Sequence, residues 1–157
     1  MTLGQFTEPK LLIPRLLSDR QEGAIQELAA LLEITARIQN APAFVQAVLK
    51  RESEFPTFVA KGVAVPHLRG EMAQKLSLAL RLSSVGIPWG PNKLMASVVF
   101  LFAIPSTEAQ AYLSLLSGLS SLVREAGAFD ALGQATQPEE MLKVLNTISL
   151  RMSAANG

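Results

Sequence analysis

The chain has one histidine, His67, and no cysteine. Those two counts decide which chemistry is open to it. Without cysteine there are no disulfides, thiolate metal sites, iron–sulfur clusters or thiol nucleophiles. With a single imidazole, no multi-histidine metal site forms within one chain. His67 follows Pro66 at the end of the apolar stretch Gly62–Pro66 and precedes Leu68 and Arg69. Proline fixes its own φ and pushes Val65 toward an extended conformation, so the backbone that delivers the imidazole is stiff. Strand ends are where α/β folds place reactive groups. A free imidazole titrates near pH ~6.5, so at neutral pH most of it is an uncharged nucleophile. The alternative is a histidine hydrogen-bonded in place with no chemistry, and position alone favours that alternative.

Other chemistry is sparse. There is no Gly-rich phosphate loop and no Gly-x-Ser-x-Gly elbow. Glu52 and Glu54 are two apart in a stretch that reads as a loop, which suits a solvated face better than an acid/base pair. Trp89, between Pro88 and Gly90, reads as a lid packed over the sheet edge. The 14 basic and 13 acidic residues give a net charge of +1, which supplies no field for nucleic acid or an anionic membrane surface.

The elements that must position His67 follow from periodicity. The chain has 157 residues, 49% hydrophobic and 17% charged, which excludes disorder and suits one domain spanning 1–157. Leu11–Leu17, interrupted by Pro14, suits an edge strand or an extended lead-in. Ser18 with Gln21 is a capping-box start for a helix over Asp19–Ile38. Asn40 and Pro42 start a second helix, which runs into Arg51 and Glu52. Gly62–Pro66 has strand character. Leu76, Leu78, Leu80 and Leu82 alternate with Ser77, Ala79, Arg81 and Ser83, the period of a half-buried strand. Gly86–Asn92 is rich in turn residues, and Leu94–Ile104 suits a buried central strand stopped by Pro105. That apolar run is too short to span a bilayer. Thr107 with Gln110 opens a helix to about Glu125, closed by Gly127. Phe129–Leu132 reads as a helical turn. A last helix opens at Thr136–Glu139 and buries Met141, Leu142, Leu145, Ile148 and Met152. Helices and strands interleave, which predicts an α/β domain: a mixed sheet flanked by helices on both faces. Met1–Lys10 lacks a basic segment followed by an apolar one, so no secretory signal is expected. With the lack of cysteine, this favours the cytoplasm.

The segment from Arg51 to Arg69 reads RESEFPTFVAKGVAVPHLR. It resembles the phosphorylation-site motif of the phosphotransferase-system enzyme IIA domains of the fructose–mannitol type, a group that includes the nitrogen-regulatory IIA proteins. Arg51, Glu52, Thr57, Gly62, Ala64, Pro66 and His67 stand where that motif has its Arg-Glu, its Thr and its Gly-x-Ala-x-Pro-His. The lead-in from Thr7, the turn before the central strand, that strand and the C-terminal helices also match in order.

The resemblance implies a phosphoryl relay. The family accepts a phosphoryl group on its histidine from the phosphocarrier protein HPr, and ultimately from phosphoenolpyruvate. Sugar-specific members pass it to a IIB domain, and regulatory members bind or release target proteins according to phosphorylation state. His67 is then the phosphorylated residue. Arg51 is a permanently charged fork for the phosphoryl oxygens, and Thr57 a hydroxyl donor. Arg69 matches a position that is often basic or polar. No cofactor, metal, nucleic acid or membrane insertion is implied. Many members carry a second histidine in the helix after the central strand, and alignment puts Tyr112 there, where a phenol can hydrogen-bond to imidazole or phosphate but cannot be a cation. The family has glycines where this chain has Phe58 and Ala60, so Phe58 is expected to narrow the pocket or displace the loop. Phe55, Phe58, Val59 and Leu68, if exposed, make an apolar rim for a partner. With no IIB or membrane segment in the sequence, a regulatory role is expected ahead of a sugar-specific one. A binding module that keeps the fold without phosphorylation is the reading from a different class.

Overall fold

The computed structural model describes residues 1–14 and 19–150. Ser18 and Met152, expected at a helix start and in the last helix, lie outside the described residues. Six strands form one mixed sheet: β1 (Leu12–Ile13), β2 (Phe58–Val59), β3 (Val63–Ala64), β4 (His67–Gly70), β5 (Ser77–Trp89) and β6 (Leu94–Pro105). Five helices accompany them: α1 (Gln21–Ile34), α2 (Ala41–Glu54), α3 (Ala109–Arg124), α4 (Ala126–Gly133) and α5 (Pro138–Leu145). The strand order is β1-β5-β6-β3-β2, with β4 also on β6.

The sheet is built round the β5–β6 hairpin, whose antiparallel register runs from Ser77↔Ala103 to Trp89↔Leu94 with an irregularity between Leu82 and Ile87. The turn residues at Gly86–Asn92 mislead: Ile87, Pro88 and Trp89 stay in the ladder, and the chain reverses at Gly90–Lys93. β3 and β4 both run parallel to β6, pairing Val63 with Val98 and His67 with Phe102. They are one strand broken at Val65–Pro66. Proline brings no N–H to a ladder, so pairing lapses there and resumes at His67.

Helices cover both faces. One face buries Leu78, Leu80, Phe100 and Phe102 against Leu115, Leu119, Leu122, Met141 and Leu145 of α3 and α5. The other buries Ala79, Val99 and Leu101 against Ile25, Leu28, Leu32, Phe44 and Val48 of α1 and α2. The alternation in β5 therefore does not mark a half-buried strand. Ser77, Ala79 and Arg81 are buried as fully as the leucines. Small side chains let α1 lie close, and the Arg81 guanidinium pairs there with Glu27. Burial lowers the pKa of Arg81 from its ordinary value, and the Glu27 carboxylate opposes that shift.

Helix boundaries differ from expectation where capping was inferred from side-chain type. α3 has Glu108 at its N-cap with no side-chain cap, so Thr107 and Gln110 form no capping box. Gly127 does not close α3; the chain turns at Glu125 and re-enters helix, taking Gly127 and the Phe129–Leu132 turn into α4. α5 ends at Leu145, and Ile148 is buried from the segment beyond it. α1 ends at Ile34, because Ala36 takes a positive φ of 61°. Asn40 does open α2, its side chain accepting the Ala43 N–H at 3.2 Å.

Removing one member of a buried ion pair takes away the charge that offsets the desolvation of the other. Glu27→Ala should therefore destabilise the domain by about 3 kcal/mol in urea denaturation, whereas Glu27→Leu with Arg81→Met should recover most of that loss. Equal stability of Glu27→Ala and wild type would show that the pair is not held as described.

Candidate functional site

α2 and the broken strand deliver the motif. Arg51 lies in the last turn of α2, and its carbonyl accepts the Phe55 N–H at 2.8 Å, closing the helix. The exposed Phe55 ring sits under the guanidinium, 5.7 Å from Cζ to the ring centroid. His67 opens β4 and is 9% exposed. On the face of the sheet that carries α3, a cavity of about 470 Å³ is lined by Arg51, His67, Arg69, Ile104, Tyr112 and Leu113, among others. His67 and Arg69 are two apart in one strand and so share a face.

The His67 ring is fixed from two directions. Nδ1 is 3.0 Å from the Val65 carbonyl oxygen. A carbonyl only accepts, so Nδ1 carries the proton and Nε2 keeps the lone pair. Tyr112 stacks on the ring, with centroids 4.8 Å apart and planes inclined by 29°. Tyr112 is itself held edge-on by Phe102, 5.9 Å away. The helix alignment thus brings Tyr112 to His67, but the contact is ring on ring. Burial pushes the Tyr112 phenol up to about 12; the Arg51 charge lowers it and the Glu52 charge raises it.

Thr57 is placed differently from expectation. Its hydroxyl lies 2.5 Å from Glu52 Oε2 and 2.8 Å from the Val65 carbonyl, and it is not among the residues that line the cavity. Phe58 pairs with Ala64 and packs on the α1–α2 side of the sheet, so it does not narrow the cavity. The loop after it turns through Lys61 and Gly62, both at positive φ. A Cβ on Gly62 would come within 3.0 Å of the Met95 carbonyl oxygen, so this position needs glycine on two counts. Of the expected apolar rim, Phe55 and Val59 are exposed, at 65% and 38%. Phe58 and Leu68 pack against the core.

Sequence reasoning puts Glu52 in the Arg-Glu pair of the motif but gives it no role beyond a solvated face. It is 2% exposed, not a solvated neighbour of Glu54. Its Oε1 accepts the Trp89 Nε1–H at 3.0 Å and the Thr57 N–H at 3.2 Å. Trp89 is buried by this contact at the end of β5. A signal was present: a tryptophan and a threonine each bring a donor that burial obliges to pair.

Comparison with known proteins gives one family. Residues 5–148 match the family model for the phosphoenolpyruvate-dependent sugar phosphotransferase system, EIIA 2. The chain is 30% identical over 131 residues to the 2-O-alpha-mannosyl-D-glycerate-specific EIIABC component of Escherichia coli K12, covering 80% of this chain and 20% of that protein. It is 27% identical over 147 residues to a nitrogen regulatory protein of Bradyrhizobium diazoefficiens, covering 92% and 95%. The chain therefore spans about a fifth of the first relative and nearly all of the second. Among solved structures, the nitrogen regulatory protein IIA-Ntr of Neisseria meningitidis superposes with a TM-score of 0.81 at 19% identity, covering 90% of this chain and 97% of that one. The IIA of mannitol in its Escherichia coli complex with phosphorylated IIB gives 0.73 at 20% identity, covering 88% and 95%.

The raised Tyr112 pKa carries a stability consequence. The fold favours the neutral phenol, so this contribution is fully present below pH 10.0, the ordinary value, and is lost as pH rises through about 12. Tyr112→Phe cannot ionise there. Between those two values wild type should lose stability more steeply than Tyr112→Phe in denaturation curves. Parallel slopes would mean that the phenol is not held in this buried position.

Proposed function

The chain belongs to the EIIA type 2 family of the phosphoenolpyruvate-dependent sugar phosphotransferase system, and we propose that His67 is the residue on which it carries the phosphoryl group. The observation that supports this most is the bond between Nδ1 and the Val65 carbonyl. It puts the lone pair on Nε2 of a ring that lines a cavity also lined by two guanidinium groups. In the step, the Nε2 lone pair attacks the phosphorus of a phosphohistidine on the incoming carrier, HPr or its like. The new P–N bond forms as the donor's P–N bond breaks, and the donor ring, protonated on its other nitrogen, leaves as neutral imidazole with the electron pair. The Nδ1 proton stays with His67. Handing the group on is the same exchange run toward an acceptor.

Phosphoryl transfer asks mainly for positioning and charge stabilisation. Arg51 supplies a planar charged fork from the end of α2, and Arg69 adds a second cation on the same face as His67. The neutral Tyr112 adds none. Its role is to cover one face of the imidazole and limit its rotation.

For the physiological role, the regulatory reading is the first choice. Similarity to the nitrogen regulatory protein runs over 147 residues, further than the 131 shared with the sugar-specific relative. Its partners are then an HPr-like donor and a target protein bound according to phosphorylation state. The higher identity to the sugar-specific relative favours a second reading, in which the acceptor is a IIB domain like the one bound to the mannitol IIA. Among the described residues, no helix is long and apolar enough to cross a membrane. Both readings put the protein in the cytoplasm with its donor.

Incubation with phosphoenolpyruvate, enzyme I and HPr should add one phosphoryl group in an acid-labile, base-stable form, read by intact mass. His67→Ala should abolish the adduct while keeping the fold; undiminished labelling of that variant would sink the assignment. Arg51→Ala should slow labelling roughly 10- to 150-fold, the range of one charge-assisted hydrogen bond acting in the transition state, and Arg51→Lys should recover part. An unchanged rate in Arg51→Ala would remove the guanidinium from the site.

A further inference from the structure

We propose that Glu52 is a positioning residue for His67, acting through the single hydroxyl proton of Thr57 to keep the Val65 carbonyl for the imidazole. The carbonyl is free to serve a side chain because of an interrupted backbone pairing. β2 and β3 pair Phe58 with Ala64 and Val59 with Val63, so Thr57 and Val65 are the next pair in register. The Val65 N–H does reach the Thr57 carbonyl, at 2.9 Å. In such a pair the two residues exchange both bonds, and the Thr57 N–H would return to the Val65 carbonyl. It donates instead to Glu52 Oε1, at 3.2 Å. Glu52 thus takes the backbone donor that would have shared the carbonyl on which His67 rests, and a donor sharing that oxygen would weaken the bond to the imidazole.

The Thr57 hydroxyl is the second competitor. It lies 2.5 Å from Glu52 Oε2 and 2.8 Å from the Val65 oxygen, two acceptors for one proton. A bond to a carboxylate is about twice as strong as one to a neutral acceptor, so the proton goes to Glu52. The Val65 carbonyl is left with the Nδ1–H of His67 as its donor at 3.0 Å. In this way a buried carboxylate that touches neither the imidazole nor the cavity that His67 lines strengthens the bond that decides which ring nitrogen carries the proton.

The geometry makes Glu52→Gln a directed test. Trp89 Nε1–H and Thr57 N–H both point at the Oε1 position, so the amide oxygen of the substituted side chain must take that place. Its NH2 then faces the Thr57 hydroxyl and donates to it. The hydroxyl proton is left with one acceptor, the Val65 carbonyl, where it weakens the hold on Nδ1–H. The consequence for attack on phosphorus rests on the carrier reading above; the consequence for the tautomer does not.

His67 is the only histidine, so the 15N resonances of the imidazole report its tautomer without assignment ambiguity. At alkaline pH, in protein that has met no phosphoryl donor, wild type should show the Nδ1–H form. Glu52→Gln should raise the share of the Nε2–H form about fivefold, the factor that one neutral hydrogen bond contributes. Adding Thr57→Val removes the competing proton and should return the tautomer ratio to the wild-type value, which a merely structural role for Glu52 would not do. An unchanged ratio in folded Glu52→Gln, or no return in the double variant, would overturn the proposal. Should Glu52→Gln fail to fold, wild type alone decides. Replacing the Thr57 hydroxyl proton with deuterium should shift the 13C resonance of the Glu52 carboxyl and leave that of the Val65 carbonyl in place; the reverse pattern would overturn it. Loss of His67 labelling with an intact tautomer response would count against the carrier reading alone.

Discussion

A backbone carbonyl in a continuous sheet belongs to the sheet. At Val65 it does not, and the site depends on that release. Pro66 interrupts the strand that runs along β6, so pairing with β6 stops at Ala64 and resumes at His67. On the other side, the Thr57 N–H that would close the pair with Val65 goes to Glu52. The Val65 oxygen is thereby available within 3.0 Å of the imidazole two residues on. An unpaired carbonyl at this depth would cost free energy, and the histidine supplies the missing donor. The same bond that satisfies the backbone selects the tautomer of the ring.

That local irregularity is tolerable because β5 and β6 pair without interruption beside it, from Ser77↔Ala103 to Leu82↔Val98, and are covered on both faces. β6 is buried from Ala96 to Ile104 with the partial exception of Ser97, and β5 pairs with it on the side opposite β3 and β4. The two helical layers pack against the wall of β5 and β6, which continues past the break between β3 and β4. Charge is admitted to this wall only where it is answered, as at Arg81 and Glu27. The site inherits its rigidity from β6 through Phe102, which pairs with His67 in the ladder and meets Tyr112 edge-on in the core.

Much of this was legible in the residues. The helices α1 and α2, the long central strand and the α/β class follow from periodicity and from Asn40 and Pro42. The candidate segment stands out through the residues from Arg51 to His67 taken together, since the position of His67 alone favours a histidine with no chemistry. What failed, failed for identifiable reasons. Gly86, Pro88 and Gly90 look like a turn, but an edge of a two-strand ribbon accepts proline, and the reversal needs only Gly90–Lys93. Alternation in β5 suggests one wet face, yet serine, alanine and a paired arginine suit a face lying close under a helix. Gly127 resembles a stop, but a glycine in the first turn of a new helix is also tolerated. Glu52 looks solvated because charge near a loop usually is. Its burial depends on three donors, from Thr57 and Trp89, that converge on it only in the folded chain.

The pairing of His67 with a tyrosine sets the electrostatics of the cavity. A phenol pushed up to about 12 is neutral around neutral pH. On the proposed carrier reading, positive charge for a phosphoryl group then comes from Arg51 and Arg69, both exposed. Arg51 rests on the exposed Phe55 ring, a contact that holds the guanidinium near the cavity mouth without consuming its hydrogen-bond donors. A carrier needs this compromise. A site that gripped the phosphoryl group with buried, fully satisfied cations would accept it readily and surrender it slowly. On that reading, exposed guanidinium groups at the rim, above an imidazole whose orientation is fixed from below by Val65 and from one face by Tyr112, divide the two demands. The nucleophile is held, and the charge that would stabilise the group lies at the solvent-facing rim.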